Sequence, residues 1–192
     1  MLCQAIKPES TLLNDSLKST VLTALFAAAG AAGGYLFMSV PNVEVLTLLM
    51  FLAGFALGWG RGLTAAAVAG IIYFGFNPQG MFPPQLVAQI LGLSAAPLLG
   101  AFFRRLARRW DWRGWTTRSI AAVLGMAATV GYDLLTNLAY PLSVGMTVKA
   151  TFAVLIAGIP FAALHIASNA AIFFFILPLL ISLVRNQTGW TG

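Results

Sequence analysis

Between Ser19 and Val184 the chain is a succession of long apolar runs joined by short loops, and nearly every charged residue falls outside the runs. A helix needs about 20 apolar residues to cross about 30 Å of hydrocarbon, and shorter runs survive where neighbouring helices cover them. Backbone groups in such a medium must pair within their own segment, so runs of this kind fold as helices. Six are expected, at about 19 to 38, 44 to 59, 62 to 76, 84 to 103, 118 to 140 and 160 to 184. Of the 192 residues 59% are hydrophobic and 8% charged, against roughly 25% charged in soluble domains, and mean hydropathy is +0.87. The fold class read from this is an all-α integral membrane protein, a six-transmembrane-helix bundle spanning 19–184. A polar segment, 1–18, precedes it and a short tail, 185–192, follows.

The second and third runs are short and meet at the tight turn Gly58-Trp59-Gly60-Arg61-Gly62. Residues 144–158 are apolar but too few to cross alone, so a short outer-surface or re-entrant helix is expected there, with a seventh span as the competing assignment.

Basic residues orient the bundle. With both termini in the cytoplasm, the inner side holds Lys7, Lys18, Arg61, Arg104, Arg105, Arg108, Arg109, Arg113, Arg118 and Arg185, and the outer side only Lys149. That asymmetry is what the positive-inside rule describes, and it accounts for the net charge of +6 without a nucleic-acid partner. The tryptophans Trp59, Trp110, Trp112, Trp115 and Trp190 fall near the same inner boundary, as an interfacial belt would. The tyrosines Tyr35, Tyr73, Tyr132 and Tyr140 fall in the outer half, either as the opposite belt or as the lining of a pocket. Cys3 is the single cysteine, so no internal disulfide is expected, and the acids and lysines before the first run make a poor signal peptide.

Within the fifth run, Asp133 is the one acid in an apolar stretch from Ser119 to Tyr140. On a helix Asp133 and Asn137 share a face, and His165 and Asn169 repeat that spacing in the sixth run. Ionisable groups at such depth turn to a bundle interior or a wet cavity, so these two faces are read as opposing walls of one solute site. The outer loops bring Asn42 and Glu44, then Asn77 and Gln79, with Gln85 and Gln89 on one face beyond them, and Tyr73 and Tyr132 nearby. Pro and Gly stiffen these loops, which lowers the entropy cost of ordering them around a ligand. A pocket of amides, tyrosines and one or two carboxylates suits an uncharged or cationic organic solute with a sizeable apolar part.

Each residue also has a plainer role. Asp133 can be a neutral group bonded to a neighbouring helix, Glu44 can cap its helix after Pro41-Asn42, and a lone histidine is more often a satisfied interior group than a ligand. Ala24, Ala28 and Ala32 put small side chains at every fourth position of the first run, which suits close contact with another helix, within this bundle or in a partner.

Enzymatic motifs are lacking. The chain contains no H-E-x-x-H, no G-x-S-x-G and no Walker A sequence, and one histidine cannot build a multi-histidine centre. Neither catalysis, a cofactor nor a bound metal is expected, and active uptake would draw on a partner or an ion gradient.

Several stretches taken together resemble the substrate-binding S components of energy-coupling factor (ECF) transporters. They are Pro41-Asn42-Val43-Glu44 before the Leu/Gly/Ala-rich second run, Gly75-Phe76-Asn77-Pro78 with Pro83-Pro84-Gln85, and Tyr132-Asp133-Leu134-Leu135-Thr136-Asn137. The likeness covers about residues 20 to 184. It implies a multi-pass protein of the prokaryotic cytoplasmic membrane, with cytoplasmic termini and a vitamin pocket near the outer face. Ala24, Ala28 and Ala32 would contact a membrane coupling subunit, and two cytoplasmic ATPases would supply energy in trans. Metal-ion members of that family use an N-terminal histidine-bearing segment, which Met1-Leu2-Cys3 does not offer.

The expected substrate is a vitamin or vitamin precursor. A corrinoid would use Met81 or His165 near cobalt, and a thiamine-like cation would use Asp133, Glu44 and tyrosines. Two other classes compete: an assembly protein in which Asp133 only pairs within the bundle, and a proton-coupled carrier using Asp133 and His165. The latter calls for inverted repeats, and none is convincing across the two halves.

Overall fold

A computed structural model describes residues 9–40, 42–78, 80–107 and 114–188, without the side chains of 9–14 and 185–188. Cys3, Lys7, Pro41, Gln79, Arg108, Arg109, Trp110, Trp112, Arg113, Trp190 and the Arg185 side chain therefore lie outside the described residues. The helices are α1 (Glu9–Phe37), α2 (Leu46–Leu57), α3 (Trp59–Gly75), α4 (Pro83–Leu93), α5 (Ala95–Ala107), α6 (Trp115–Ser143), α7 (Val148–Phe175) and α8 (Leu177–Thr188). Among the described residues there is no strand. Among the described residues four stretches are long and apolar enough to cross a membrane: Asp15–Phe37, Pro83–Ala107, Trp115–Ser143 and Val148–Phe175. Helices α2 and α3 occupy the expected second and third positions but are too short to count among them.

Prolines explain the interruptions. Pro97 has no N–H to offer the Leu93 carbonyl, and the helix breaks at Ser94, whose Oγ donates to the Ile90 carbonyl at 2.8 Å. Pro178 does the same to the Phe174 carbonyl, and α7 gives way to α8 around Ile176.

The last third of the chain differs from expectation. Residues 148–158 form no separate surface helix. They are the first turns of α7, a continuous helix of 28 residues that carries Pro160 inside it. Thr147 caps this helix, its Oγ1 accepting from the Ala150 N–H at 3.3 Å. A proline that would end a helix in water is tolerated in a membrane segment, where neighbouring groups re-satisfy the freed carbonyl. The run expected at 160 to 184 thus begins well inside α7, because residues 148–158, too few to cross alone, belong to the same helix.

Helix α2 is the axis of the bundle. Leu46, Leu48, Met50, Phe51, Leu52, Ala53 and Phe55 are all buried, with α1, α3, α5, α6, α7 and α8 around them. At 12 residues it is about 18 Å long, and its neighbours, not lipid, cover it. Membrane helices associate through close packing in the absence of a hydrophobic driving force, and small residues permit it. A Cβ on Gly100 of α5 would overlap the Phe51 carbonyl oxygen, and one on Gly54 of α2 would overlap that of Pro97. Phe51, Phe103 and Phe173 fill the core beside this contact, with ring centroids 5.7 Å and 5.0 Å from Phe51.

Candidate functional site

Helices α6 and α7 form an antiparallel pair around the Gly145 turn, where φ is +66°. Residues at helical spacing of four on each helix meet in register. Phe173 lies over Gly125, where a Cβ would come within 2.5 Å of the ring. Asn169 Nδ2 donates to Thr129 Oγ1 at 2.9 Å, and that hydroxyl donates to the Gly125 carbonyl at 2.9 Å. One step further, His165 Nδ1 and Asp133 Oδ1 are 2.8 Å apart. Beyond this pair Asn137, four residues after Asp133, lies beside Gly158, out of the register of four on α7. The seam thus runs from apolar to neutral polar to ionisable groups as it approaches one end of the bundle.

The third ionisable group arrives from α2. In the loop before it, Asn42 adopts φ +58°, a left-handed conformation that asparagine tolerates. Ser168 Oγ donates to the Asn42 carbonyl at 2.6 Å, tying the loop to α7. This places Glu44 Oε1 at 3.5 Å from His165 Nε2, within ion-pair reach of a protonated imidazole but outside hydrogen-bond geometry. Glu44 does not cap α2: the capping position is Val45, with no side-chain bond, and Glu44 accepts instead from Thr47 Oγ1. His165 therefore lies between two carboxylates, and all three side chains are less than one-fifth exposed.

Above these groups opens a cavity of about 340 Å³. Its walls include Phe37 and Met38 of the α1 end, Asn42, Val43 and Glu44, Tyr73, Phe74 and Asn77 of the α3 end, Gln89 of α4, Tyr132, Asp133, Thr136 and Asn137 of α6, and Phe161, Ala162 and His165 of α7. Tyr132 stands edge-on to the His165 ring at 6.1 Å, and Tyr73 edge-on to Tyr35 at 5.2 Å. Gly92 admits Tyr132, since a Cβ there would approach its ring to 2.9 Å. Asp133 Oδ2 and His165 Nε2 are buried without a hydrogen-bond partner in the protein. Unsatisfied buried polar atoms are costly, and groups of this kind collect where a ligand or water completes them.

Of the residues read from sequence, Asp133, Asn137, His165, Glu44, Asn42, Tyr73, Asn77, Gln89 and Tyr132 come together on this cavity. Asn169 and Gln85 do not. Asn169 is fully buried one turn below and clasps Thr129, its Oδ1 unpartnered. Gln85 lies in the first turn of α4, outside the lining. The tyrosines divide: Tyr73 and Tyr132 face the cavity, whereas Tyr140 is exposed and packs against Phe82 at 5.9 Å. Thr47, Ser168, Phe161 and Ala162 were missed. The last two stand four and three residues before His165, inside the run expected at 160 to 184, so the helical period alone would have put them on the His165 face.

Ala24, Ala28 and Ala32 are exposed on α1, while Ala27 and Ala31 on the adjacent face are buried. Among the described residues no group of three or more histidine, cysteine or acidic side chains has the arrangement to hold a metal ion.

Fold and site together define an all-helical, membrane-type bundle with one end hollowed into a polar, aromatic-walled cavity. Set against known protein families, curated proteins and solved structures, the chain finds no match in any of the three.

Proposed function

We propose that this chain is the membrane-embedded substrate-binding subunit of an uptake system, of the ECF S-component type, and that it captures a vitamin or vitamin precursor at the outer face. The observation that carries the reading is the cavity over His165, Asp133 and Glu44, walled by aromatic rings and containing buried polar atoms that no protein group satisfies. Its volume of about 340 Å³ falls within the range of small-molecule sites, roughly 300–1,000 Å³. Two carboxyl groups beside one imidazole offer more acceptors than donors, which favours a cationic or proton-donating solute. Tyr73, Phe74, Tyr132 and Phe161 supply faces for an aromatic cation.

Sidedness supports the outer location. Arg61 begins α3, Arg104 and Arg105 end α5 and Arg118 begins α6, whereas the cavity draws on the opposite ends of α3 and α6. Both termini are then cytoplasmic. The exposed Ala24, Ala28 and Ala32 face offers a close-packing surface for a membrane coupling subunit, with ATPases in trans driving release.

A second reading rests on the Asp133–His165 pair itself: a purely structural clasp in an assembly protein would look the same at 2.8 Å. Mass spectrometry with an ultraviolet-visible spectrum, on protein purified in mild detergent from a vitamin-replete host, separates the two. Solute capture predicts a stoichiometric small molecule. Empty protein that also fails to bind a panel of vitamins contradicts it.

A further inference from the structure

Asp133, Asn137 and Ala162 line a second space as well. On the other side of these residues, between α6 and α7, lies a groove of about 210 Å³ whose remaining walls are apolar, among them Leu155, Gly158 and Ile166. The polar cavity and the apolar groove thus share a partition one side chain thick. Gly158 is what leaves room in it: a Cβ there would already lie 3.4 Å from Asn137 Oδ1, and anything larger would fill the groove. The groove's flanks, Leu134 and Ile159, are exposed.

Resting on the solute-capture reading, we infer that the ligand is two-part, with a cationic or hydrogen-bonding head in the cavity against Glu44 and Asp133 and an apolar arm in the α6–α7 groove. Two adjoining spaces of opposite character are what such a molecule needs. The head lies against Asp133 in the cavity, and the arm reaches the groove by passing between the side chains that line both spaces, Asp133, Asn137 and Ala162. Neither space alone gives this selectivity, because a wholly polar solute leaves the groove unfilled and a plain hydrocarbon leaves the carboxylates unpaired.

The test uses two probes, benzylammonium and 4-butylbenzylammonium, titrated calorimetrically into the full chain in lipid nanodiscs, with empty nanodiscs subtracting membrane partition. The wild type should bind the butyl compound at least about tenfold more tightly, as burial of four methylene-sized groups allows. Gly158→Leu should bring the two affinities within about twofold of each other. Ile166→Phe, at another wall of the groove, should act the same way if Gly158→Leu does not fold. A butyl gain that survives in both variants, or none in the wild type, overturns the two-part ligand and leaves solute capture standing. The absence of a gain is also what a groove occupied by a bilayer acyl chain would give. Failure of both probes to bind the wild type overturns the inference, and an empty protein by mass spectrometry then overturns the capture reading too.

Discussion

His165 Nδ1 stands 2.8 Å from Asp133 Oδ1, while the other oxygen of the same carboxylate is buried with no protein partner. The pair is half-satisfied: one contact fixes the two helices, and the remaining lone pairs and the second imidazole nitrogen are left for something else. Breaking such a pair from one side leaves a stranded polar group, whereas removing both sides does not. His165→Ala should therefore cost about 1–3 kcal/mol of stability, and the double variant His165→Ala/Asp133→Leu less than the single one. Thermal unfolding of purified protein measures both. A double variant less stable than His165→Ala would contradict this account of the pair.

One turn below, Asn169 is a clasp and not a wall. Asn169→Ala or Thr129→Val should lower stability by about 1–2 kcal/mol, because a buried partner is left unpaired. Affinity for a cationic probe such as benzylammonium should stay within about threefold. A larger affinity loss in a variant that keeps its stability would place Asn169 in the site.

The α2–α5 contact tolerates no side chain at Gly100. Gly100→Val should destabilise by about 3 kcal/mol or prevent accumulation, since the Phe51 backbone cannot retreat from it. Gly131→Ala on α6 meets nothing within 4 Å and should be neutral or stabilising by up to about 1 kcal/mol. Expression and thermal melting of the two variants, side by side, check this.

Glu44 acts across a 3.5 Å gap, through charge more than through a bond. Glu44→Gln should weaken benzylammonium binding about tenfold while changing stability little, because Thr47 keeps an oxygen to donate to. An unchanged affinity would mean that the cation is held elsewhere.

How much of this was open to reading from sequence depended on the kind of signal. Apolar runs marked where helices lie, and the four-residue spacing put Asp133, Asn137 and His165 on the cavity wall, whereas Asn42, Glu44, Tyr73, Asn77, Gln89 and Tyr132 were read from polar and aromatic residues at and near the outer loops. Whether α7 bends or breaks at Pro160 is decided by neighbours that re-satisfy a carbonyl, and no local pattern records that. Asn169 shares the His165 face, but depth along the helix separates a buried clasp from a cavity wall. Spacing gives the face and not the depth. The division between Ala27 with Ala31, buried, and Ala24 with Ala28 and Ala32, exposed, likewise depends on which neighbours arrive at α1.

The central claim is that the cavity over Asp133 holds a solute, and one pairing of measurements tests it most directly. Small-molecule occupancy by mass spectrometry and melting temperature are compared for wild type and Asp133→Asn from the same host. The amide keeps a hydrogen-bonding oxygen toward His165 but removes the charge offered to a ligand. Capture predicts an occupied wild type and an empty variant that melts within a few degrees of the unliganded wild-type protein. Both proteins empty, with the variant clearly less stable, would contradict capture and make the Asp133–His165 pair a structural clasp.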